Sequence, residues 1–362
     1  MKILYDHSCF RWNYGGVPKY FCEIIRRLPK DDWLLPIEYS NNQYLKDYKL
    51  LQCKPFLPDK NIRIKSIMID LINRPLTIKY LLSKNYDIYH QTHYNNFGVK
   101  YVHKKTPIVT TIYDMNFFTI PKYYSNFNNL LIGQKKVIKD SKKLIAISET
   151  TKKDLTEYLS IPESKISVIH LGIDKNISIE SYENRLIEYP YILFVGQRHS
   201  YKNFRNIALA FSIISKKYSD LKLVCTGPAC SKSEFKFIKS IQIADKTMFF
   251  QATEFEMYSL YHYAEMMVFP SFYEGFGLPL LEAMINKCPV ICSDRSCFPE
   301  IADNAALYFN PSDLDSIVNC IEKVLMNTDL KKTLQEKGIE RCNKFSWDTC
   351  AEEHLSFYSS LL

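Results

Sequence analysis

Apolar runs of a few residues, rich in β-branched side chains, recur along the chain and are separated by polar stretches of helical period. KILYD at 2–6, DIYHQ at 87–91, PIVTTIYD at 107–114, LIAIS at 144–148 and SVIHLGID at 167–174 lack the strict alternation of a strand wetted on one face. Near-continuous apolar runs of this kind predict parallel strands covered on both sides by helices. The rhythm fails over NISIESYENRLIEYP, which is polar, irregular and closed by proline, so a linker is expected between 175 and 189. It then restarts with YILFVG at 191–196, KLVCTG at 222–227, MFFQAT at 248–253, MMVFPS at 266–271, PVICSD at 289–294 and ALYFN at 306–310. The pattern predicts two doubly wound α/β domains, 1–174 and 190–345, with ligand loops at the carboxyl ends of the strands and a cleft between them. The tail from 346 to 362 reads as an amphipathic helix.

Composition narrows the setting. A chain of 362 residues, 46% hydrophobic and 24% charged, is long enough for two cores. Its 11 cysteines are scattered and never spaced as CxxC, which argues against a zinc ribbon or disulfide framework and for a reducing compartment. The start, MKILYDHSCF, is not that of a signal peptide, and no run approaches the ~20 apolar residues of a membrane span. A cytoplasmic protein, soluble or peripherally attached to the inner membrane face, is expected.

Charge is uneven. Residues 1–180 carry 28 Lys and Arg against 17 Asp and Glu, a balance of +11, while residues 181–362 carry 19 against 22, a balance of −3. Much of the excess lies in the lysines between 135 and 153. A solvated helix face accounts for part of it; attraction to anionic lipid or a phosphate-bearing acceptor, at up to ~1 kcal/mol per basic residue, is the alternative. No nucleic-acid-binding module accompanies these residues, so nucleic acid is not expected.

The densest chemistry lies between Val268 and Glu300. Pro270 stops an apolar run, Gly275 and Gly277 permit a tight turn, and Pro279 suits the first turn of a helix through Leu280, Leu281, Ala283 and Met284. Backbone N–H groups near Phe276, Gly277 and Leu278, with the positive end of the helix dipole, make a phosphate-binding turn. Glu274 and Glu282 flank it, and carboxylates accept hydrogen bonds from the vicinal hydroxyls of sugar or ribose. As an isolated pair they would read first as a solvated loop carboxylate and a helix cap, and it is the surrounding string that reverses this.

Other constellations are weaker alone. In FVGQRHSYKNFRN, Gly196 ends a strand and Arg198 and Lys202 follow; two such cations suit a diphosphate, although strand-end cations are often simply solvated. Gly15 and Gly16 stand between the first strand and first helix, as a ligand loop or a plain turn. His90, His93, Tyr113 and Asp114 fall at strand ends and are candidates on the acceptor side. Buried structural histidines and a helix-capping aspartate are the alternatives. Glu300 is a weak donor-side candidate, and Asp313 with Asp315 reads as a helix start rather than a metal site. No GxGxxG, GxxxxGK[ST] or HExxH occurs, so neither nicotinamide, P-loop nor zincin chemistry is expected, and no metal or cofactor.

The string SFYEGFGLPLLEAM, followed by CPVICSD and FPEIADNAALYFNP, resembles the donor-binding motif of the retaining glycosyltransferases of family 4. The resemblance implies a GT-B fold, two Rossmann-like domains facing across a cleft, with the nucleotide sugar bound mainly by the second, the acceptor by the first, and the last helix crossing back to the first. It implies that Arg198 and Lys202 contact the donor diphosphate beside Gly196, and that the GGVPKYF loop faces it. Glu274 would hold the donor sugar and favour its cationic character, and Glu282 the ribose hydroxyls. Many relatives carry a histidine where this chain has Tyr113, so a histidine-dependent step there is in doubt. The expected activity is metal-independent hexosyl transfer from a nucleoside-diphosphate sugar to a saccharide, with a lipid-linked glycan of surface polysaccharide or lipopolysaccharide as the acceptor. A nucleotide-sugar epimerase and a non-catalytic sugar-nucleotide-binding subunit are the alternatives.

Overall fold

A computed structural model describes residues 1–58, 62, 64–124, 128–175, 185–198 and 200–362. Most of the expected linker, 176–184, and His199 lie outside the described residues. The chain divides into two compact units, Met1–Phe117 with Tyr124–Gly172 and Trp347–Leu362, and Phe118–Tyr123 with Ile173–Ser346.

The first unit is built on a six-stranded sheet in the order β2-β1-β3-β4-β5-β6. The strands are β1 (Ile3–Tyr5), β2 (Trp33–Leu34), β3 (Ile88–Gln91), β4 (Ile108–Ile112), β5 (Lys143–Ala146) and β6 (Ile166–Val168), and every pairing is parallel. β2 is a two-residue edge strand, too short for its period to register in the sequence. Tyr5 of β1 lies opposite His90 of β3, and the chain reverses its direction of progress across the sheet between these two strands. At such a switch point the loops beyond the strand ends part and leave a crevice. The helix Gly16–Ile25 packs against the C-terminal helix Trp347–Ser359, and Arg27 ties them by an Nε bond of 2.5 Å to Asp348.

The second unit has the order β12-β11-β10-β7-β8-β9. Here the strands are β7 (Tyr191–Val195), β8 (Lys222–Thr226), β9 (Thr247–Phe250), β10 (Met266–Phe269), β11 (Val290–Ser293) and β12 (Ala306–Phe309), again all parallel. Its core joins Ile192, Phe194, Val268 and Ile291 from the sheet to Phe211, Ile214, Ile317 and Ile321 from covering helices. The switch point falls between β7 and β10, whose register pairs Met267 with Leu193.

All 11 cysteines are free thiols. Burial pushes that of Cys342 up to about 12, as expected of small apolar filler. No described helix is long and apolar enough to cross a membrane.

Candidate functional site

In the second unit the loops that leave β7 and β10 are stitched together at the switch point. The Phe272 N–H donates to the Tyr201 carbonyl at 2.9 Å. Asn203, held at a left-handed φ of 59°, donates through Nδ2 to the carbonyls of Pro270 at 3.3 Å and Pro311 at 2.7 Å. Between these ties, Lys202 Nζ lies 2.5 Å from Glu274 Oε1, with the two side chains 17% and 15% exposed. The pair is partly withdrawn from water yet within reach of a ligand. Glu274 is further fixed by Ser296, whose Oγ accepts from its N–H at 3.2 Å and donates to its carbonyl at 2.5 Å.

Glycine geometry shapes the floor. Gly277 has φ +88°, and a Cβ there would sit 3.3 Å from Leu280 Cδ1 and Phe298 Cε1. It caps the helix Leu278–Ile285, with Pro279 in the first turn. Phe276 turns its ring into the interior against Phe345, at 5.7 Å between centroids, so only its backbone can serve a ligand. At the ends of β7 and β8, Gly196 and Gly227 have φ +108° and +118°, and a Cβ on Gly227 would lie 2.8 Å from the Gly196 carbonyl oxygen.

Glu282 is half-buried and accepts from the Tyr261 hydroxyl through Oε2 at 3.0 Å. Burial, then the neighbouring carboxylate, pushes that hydroxyl well above its ordinary range, so Tyr261 is a fixed donor. Arg198 leaves the same loop as Lys202 but meets a different partner. Its Nε donates to Glu234 Oε1 at 2.8 Å and its Nη2 to the carbonyls of Pro228 and Ala229 at 2.6 and 3.1 Å. Nη1 is buried with no hydrogen-bond partner among the described residues. Glu234 sits in the capping box of the helix Lys232–Ser240. Burial pulls its carboxyl upward, but the Ser231 N–H and Arg198 outweigh that and hold it below the ordinary range. The structure therefore joins Lys202 to Glu274 and gives Arg198 a separate anchor. Glu300 lies in the first turn of the helix Phe298–Ala302, and Asp313 caps the helix Leu314–Met326 through bonds from the N–H groups of Asp315 and Ser316.

In the first unit His90 is a core histidine. Nδ1 lies 2.6 Å from the Tyr358 hydroxyl and Nε2 3.0 Å from Thr111 Oγ1, and burial holds the imidazole well below its usual pKa. Tyr5, Tyr20 and His354 extend the same network. His93 is different: its ring abuts Trp12 at 4.9 Å, Nδ1 is buried without a hydrogen-bond partner among the described residues, and burial brings its pKa down to about 4. Tyr113 donates its hydroxyl to the Thr92 carbonyl at 3.4 Å. Asp114 accepts from the Asn116 N–H at 3.2 Å, an Asx-turn contact. Gly15 precedes the helix Gly16–Ile25 at φ +142°, and a Cβ on Gly16 would meet nothing within 4 Å.

Several residues escaped the sequence reading. Asp6, wholly buried at the end of β1, accepts from the Ser8 N–H at 2.8 Å, Thr92 Oγ1 at 2.7 Å and Tyr89 Oη at 2.9 Å. An acidic residue ending the first apolar run was its only local sign. Ser296 and Tyr261 left none. Gly227 had one, since KLVCTG ends as YILFVG does. Among the described residues no cluster of three or more His, Cys, Asp or Glu is placed to hold a metal ion.

Residues 14–176 match the family model described as Glycosyltransferase Family 4, and residues 178–341 that of Glycosyl transferases group 1. The chain is 24% identical to the O-antigen chain mannosyltransferase B of Escherichia coli, covering 100% of each. It is 30% identical to the O-antigen chain mannosyltransferase RfbU of Salmonella typhimurium over 59% of this chain and 60% of that one. Among solved structures it resembles Anabaena HepE in complex with UDP-glucose, with a TM-score of 0.77 at 14% identity over 99% of this chain and 100% of that one. The sucrose-phosphate synthase of Thermosynechococcus elongatus gives a TM-score of 0.77 at 17% identity over 100% and 99%. At these identities the two structures speak for the fold, which they share as GT-B.

Proposed function

Because the chain belongs to the group 1 glycosyltransferases of family 4, we propose that it moves a hexosyl unit, with retention and without a metal, from a nucleoside-diphosphate sugar to a saccharide. The observation that carries this reading is the contact of Lys202 with Glu274 at the switch point of the second sheet. Breaking the anomeric bond builds negative charge on the diphosphate and positive charge on the sugar, and the pair supplies one group for each. Lys202 meets the leaving diphosphate; Glu274 takes a sugar hydroxyl and favours the cationic ring. Arg198, whose Nε and Nη2 are fixed on protein oxygens, is the second cation we assign to the diphosphate. Backbone N–H groups at Phe276 to Leu278 receive phosphate oxygens, and Glu282, oriented by Tyr261, receives the ribose hydroxyls.

The acceptor we propose is a lipid-linked glycan of cell-surface polysaccharide or lipopolysaccharide. Two relatives are O-antigen mannosyltransferases, and they make mannose the first sugar to try. Thermal unfolding with a panel of nucleoside diphosphates and their sugars tests donor binding, because ligand at ~100 times its dissociation constant adds about 2.7 kcal/mol. One base should stand out, and silence across the panel overturns the reading. With the donor known, nucleoside diphosphate should be released only when acceptor is present. Turnover of donor without acceptor would favour an epimerase; binding without turnover would favour a silent subunit.

A further inference from the structure

A cavity of about 600 Å³ opens in the first unit where the loop after β1 meets the segment after β2. None of its described lining residues follows β3, so it is distinct from the crevice at the β1–β3 switch point. Its frame is made by side chains whose hydrogen bonds go to the protein itself. Asn41 exchanges two bonds with Phe56, from Nδ2 to the carbonyl at 2.8 Å and from the Phe56 N–H to Oδ1 at 2.9 Å. Ser40 Oγ donates to the Phe10 carbonyl and Asn42 Nδ2 to that of Trp12, both at 2.7 Å, which ties the two loops together. Asn42 Oδ1 also accepts from the Leu45 N–H at 3.1 Å and so caps the short helix Gln43–Asp47. The opening is therefore fixed before any ligand arrives.

Set in that frame are the exposed Asn13, Lys46, Lys49 and Gln52, with Lys65 at the start of the helix Lys65–Ser83. Among the described residues that line the cavity there is no carboxylate and no aromatic ring. Three ammonium groups without a counter-charge in the lining give the space a positive potential, and an anion that enters it is attracted by all three. The amides of Asn13 and Gln52 each offer a donor and an acceptor, which matches the hydroxyls of a sugar. Without a ring there is no platform on which a nucleobase could stack, and the polar lining does not suit an apolar ligand. We propose that this cavity binds a sugar residue that bears a carboxylate or a phosphate. In sugar transfer that residue belongs to the acceptor glycan and is not the one that receives the hexose; this assignment to the acceptor rests on the proposed function, whereas the binding does not.

Titration calorimetry of the full chain with glucuronic acid, mannose 6-phosphate, mannose and inorganic phosphate tests this. At least one of the acidic sugars should bind about tenfold or more tightly than either mannose or inorganic phosphate, and its affinity should fall as salt is raised. Lys46→Gln with Lys49→Asn should weaken that binding by about tenfold or more. Asparagine is chosen because position 49 has φ +51°, a conformation it accepts. Both side chains are exposed, so the unfolding temperature should not change. Gln52→Trp, which crowds the cavity without altering its charge, provides a second variant and should weaken binding as much. No binding of either acidic sugar, equal binding of mannose or of bare phosphate, or affinities unchanged in both variants would overturn the proposal. The titration uses neither donor nor turnover. A null result with stabilisation by a nucleoside diphosphate intact removes this site alone, whereas silence across the nucleotide panel removes the donor reading and leaves this binding standing.

Discussion

At the scale of single residues, three buried histidines of the first unit, His90, His93 and His354, set a pH dependence. Burial brings His93 and His354 down to about 4 from the ordinary 6.5. An imidazole depressed by folding stays neutral in the native state while the unfolded chain takes up a proton, so stability is full above about 6.5 and is lost as pH falls from there toward 4. Urea midpoints should therefore fall between pH 7 and pH 5, and His93→Asn should flatten part of the slope. A midpoint that holds steady over this range would contradict buried neutral rings. At the proposed donor site, Lys202→Ala should lower turnover by roughly 100-fold while changing donor affinity less, as expected of a group that meets charge formed in the transition state. Glu282→Ala should instead raise the donor dissociation constant by about tenfold, the loss of charge-assisted hydrogen bonds to the ribose. Calorimetry with the nucleoside diphosphate separates the two, and equal kinetics in both variants would remove these residues from the site. Glycine, proline and carboxylate spacing written in one segment drew attention to Glu274 and Glu282, whereas Lys202 stood out only through the resemblance of its loop after Gly196 to the family pattern. Local sequence did not show that Arg198 would turn to Glu234. The Ser231-x-x-Glu234 box is legible as a helix start, whereas its reach across to another strand end is a tertiary fact.

Among the elements, the C-terminal helix completes the polar core of the first unit. Tyr358 brings its hydroxyl to His90 at 2.6 Å and to Tyr5 at 3.1 Å, and His354 Nε2 lies 2.7 Å from the Tyr20 hydroxyl. Tyr358→Phe keeps the ring but strands two buried polar groups, so it should cost about 1–3 kcal/mol in chemical denaturation. A cost near zero would mean the network is dispensable. The tail's helical character was plain from its period, but pairing across 268 and 334 residues leaves no local trace. Neither does β2, whose two residues were missed for lack of length. At the other sheet, Gly227→Ala would press a methyl to 2.8 Å from the Gly196 carbonyl and strain a φ of +118°. We expect a loss on the order of 2 kcal/mol, with donor affinity falling as the β7 loop is displaced. Ordinary stability with normal donor binding would show that the two strand ends relax independently.

For the whole molecule, two parallel sheets of six strands were foreseeable because strands buried on both faces read as unbroken apolar runs. The order of those strands was not, since nothing in a run states which neighbour it takes. The topology matters most for function: in the second unit it sets β7 beside β10, so loops from segments over 70 residues apart, represented by Lys202 and Glu274, can touch. The charge imbalance between the halves was visible in composition, whereas the exposure of Ile67, Leu71 and Leu82 on the helix Lys65–Ser83 was not. A run of isoleucine and leucine cannot declare which of its members face inward until Asp70, Asn73 and Thr77 are seen to share the inside with Ile69 and Leu81.

The 2.5 Å contact of Lys202 with Glu274 also bears on which ligands the proposed donor site would admit. Each charge cancels the other, so stray phosphate finds no bare cation and a free hexose finds no idle carboxylate. A ligand that offers only one half must break the pair and leave the other partner without compensation; one that offers both an anion and a hydroxyl replaces each in a single exchange. In the proposed donor site the pair would act as a coincidence gate. Titrations with inorganic pyrophosphate alone and hexose alone should give weak binding whose free energies sum to less than that of the intact sugar nucleotide after its nucleoside contribution is subtracted. With Glu274→Gln the lysine is released, and pyrophosphate should bind about tenfold more tightly.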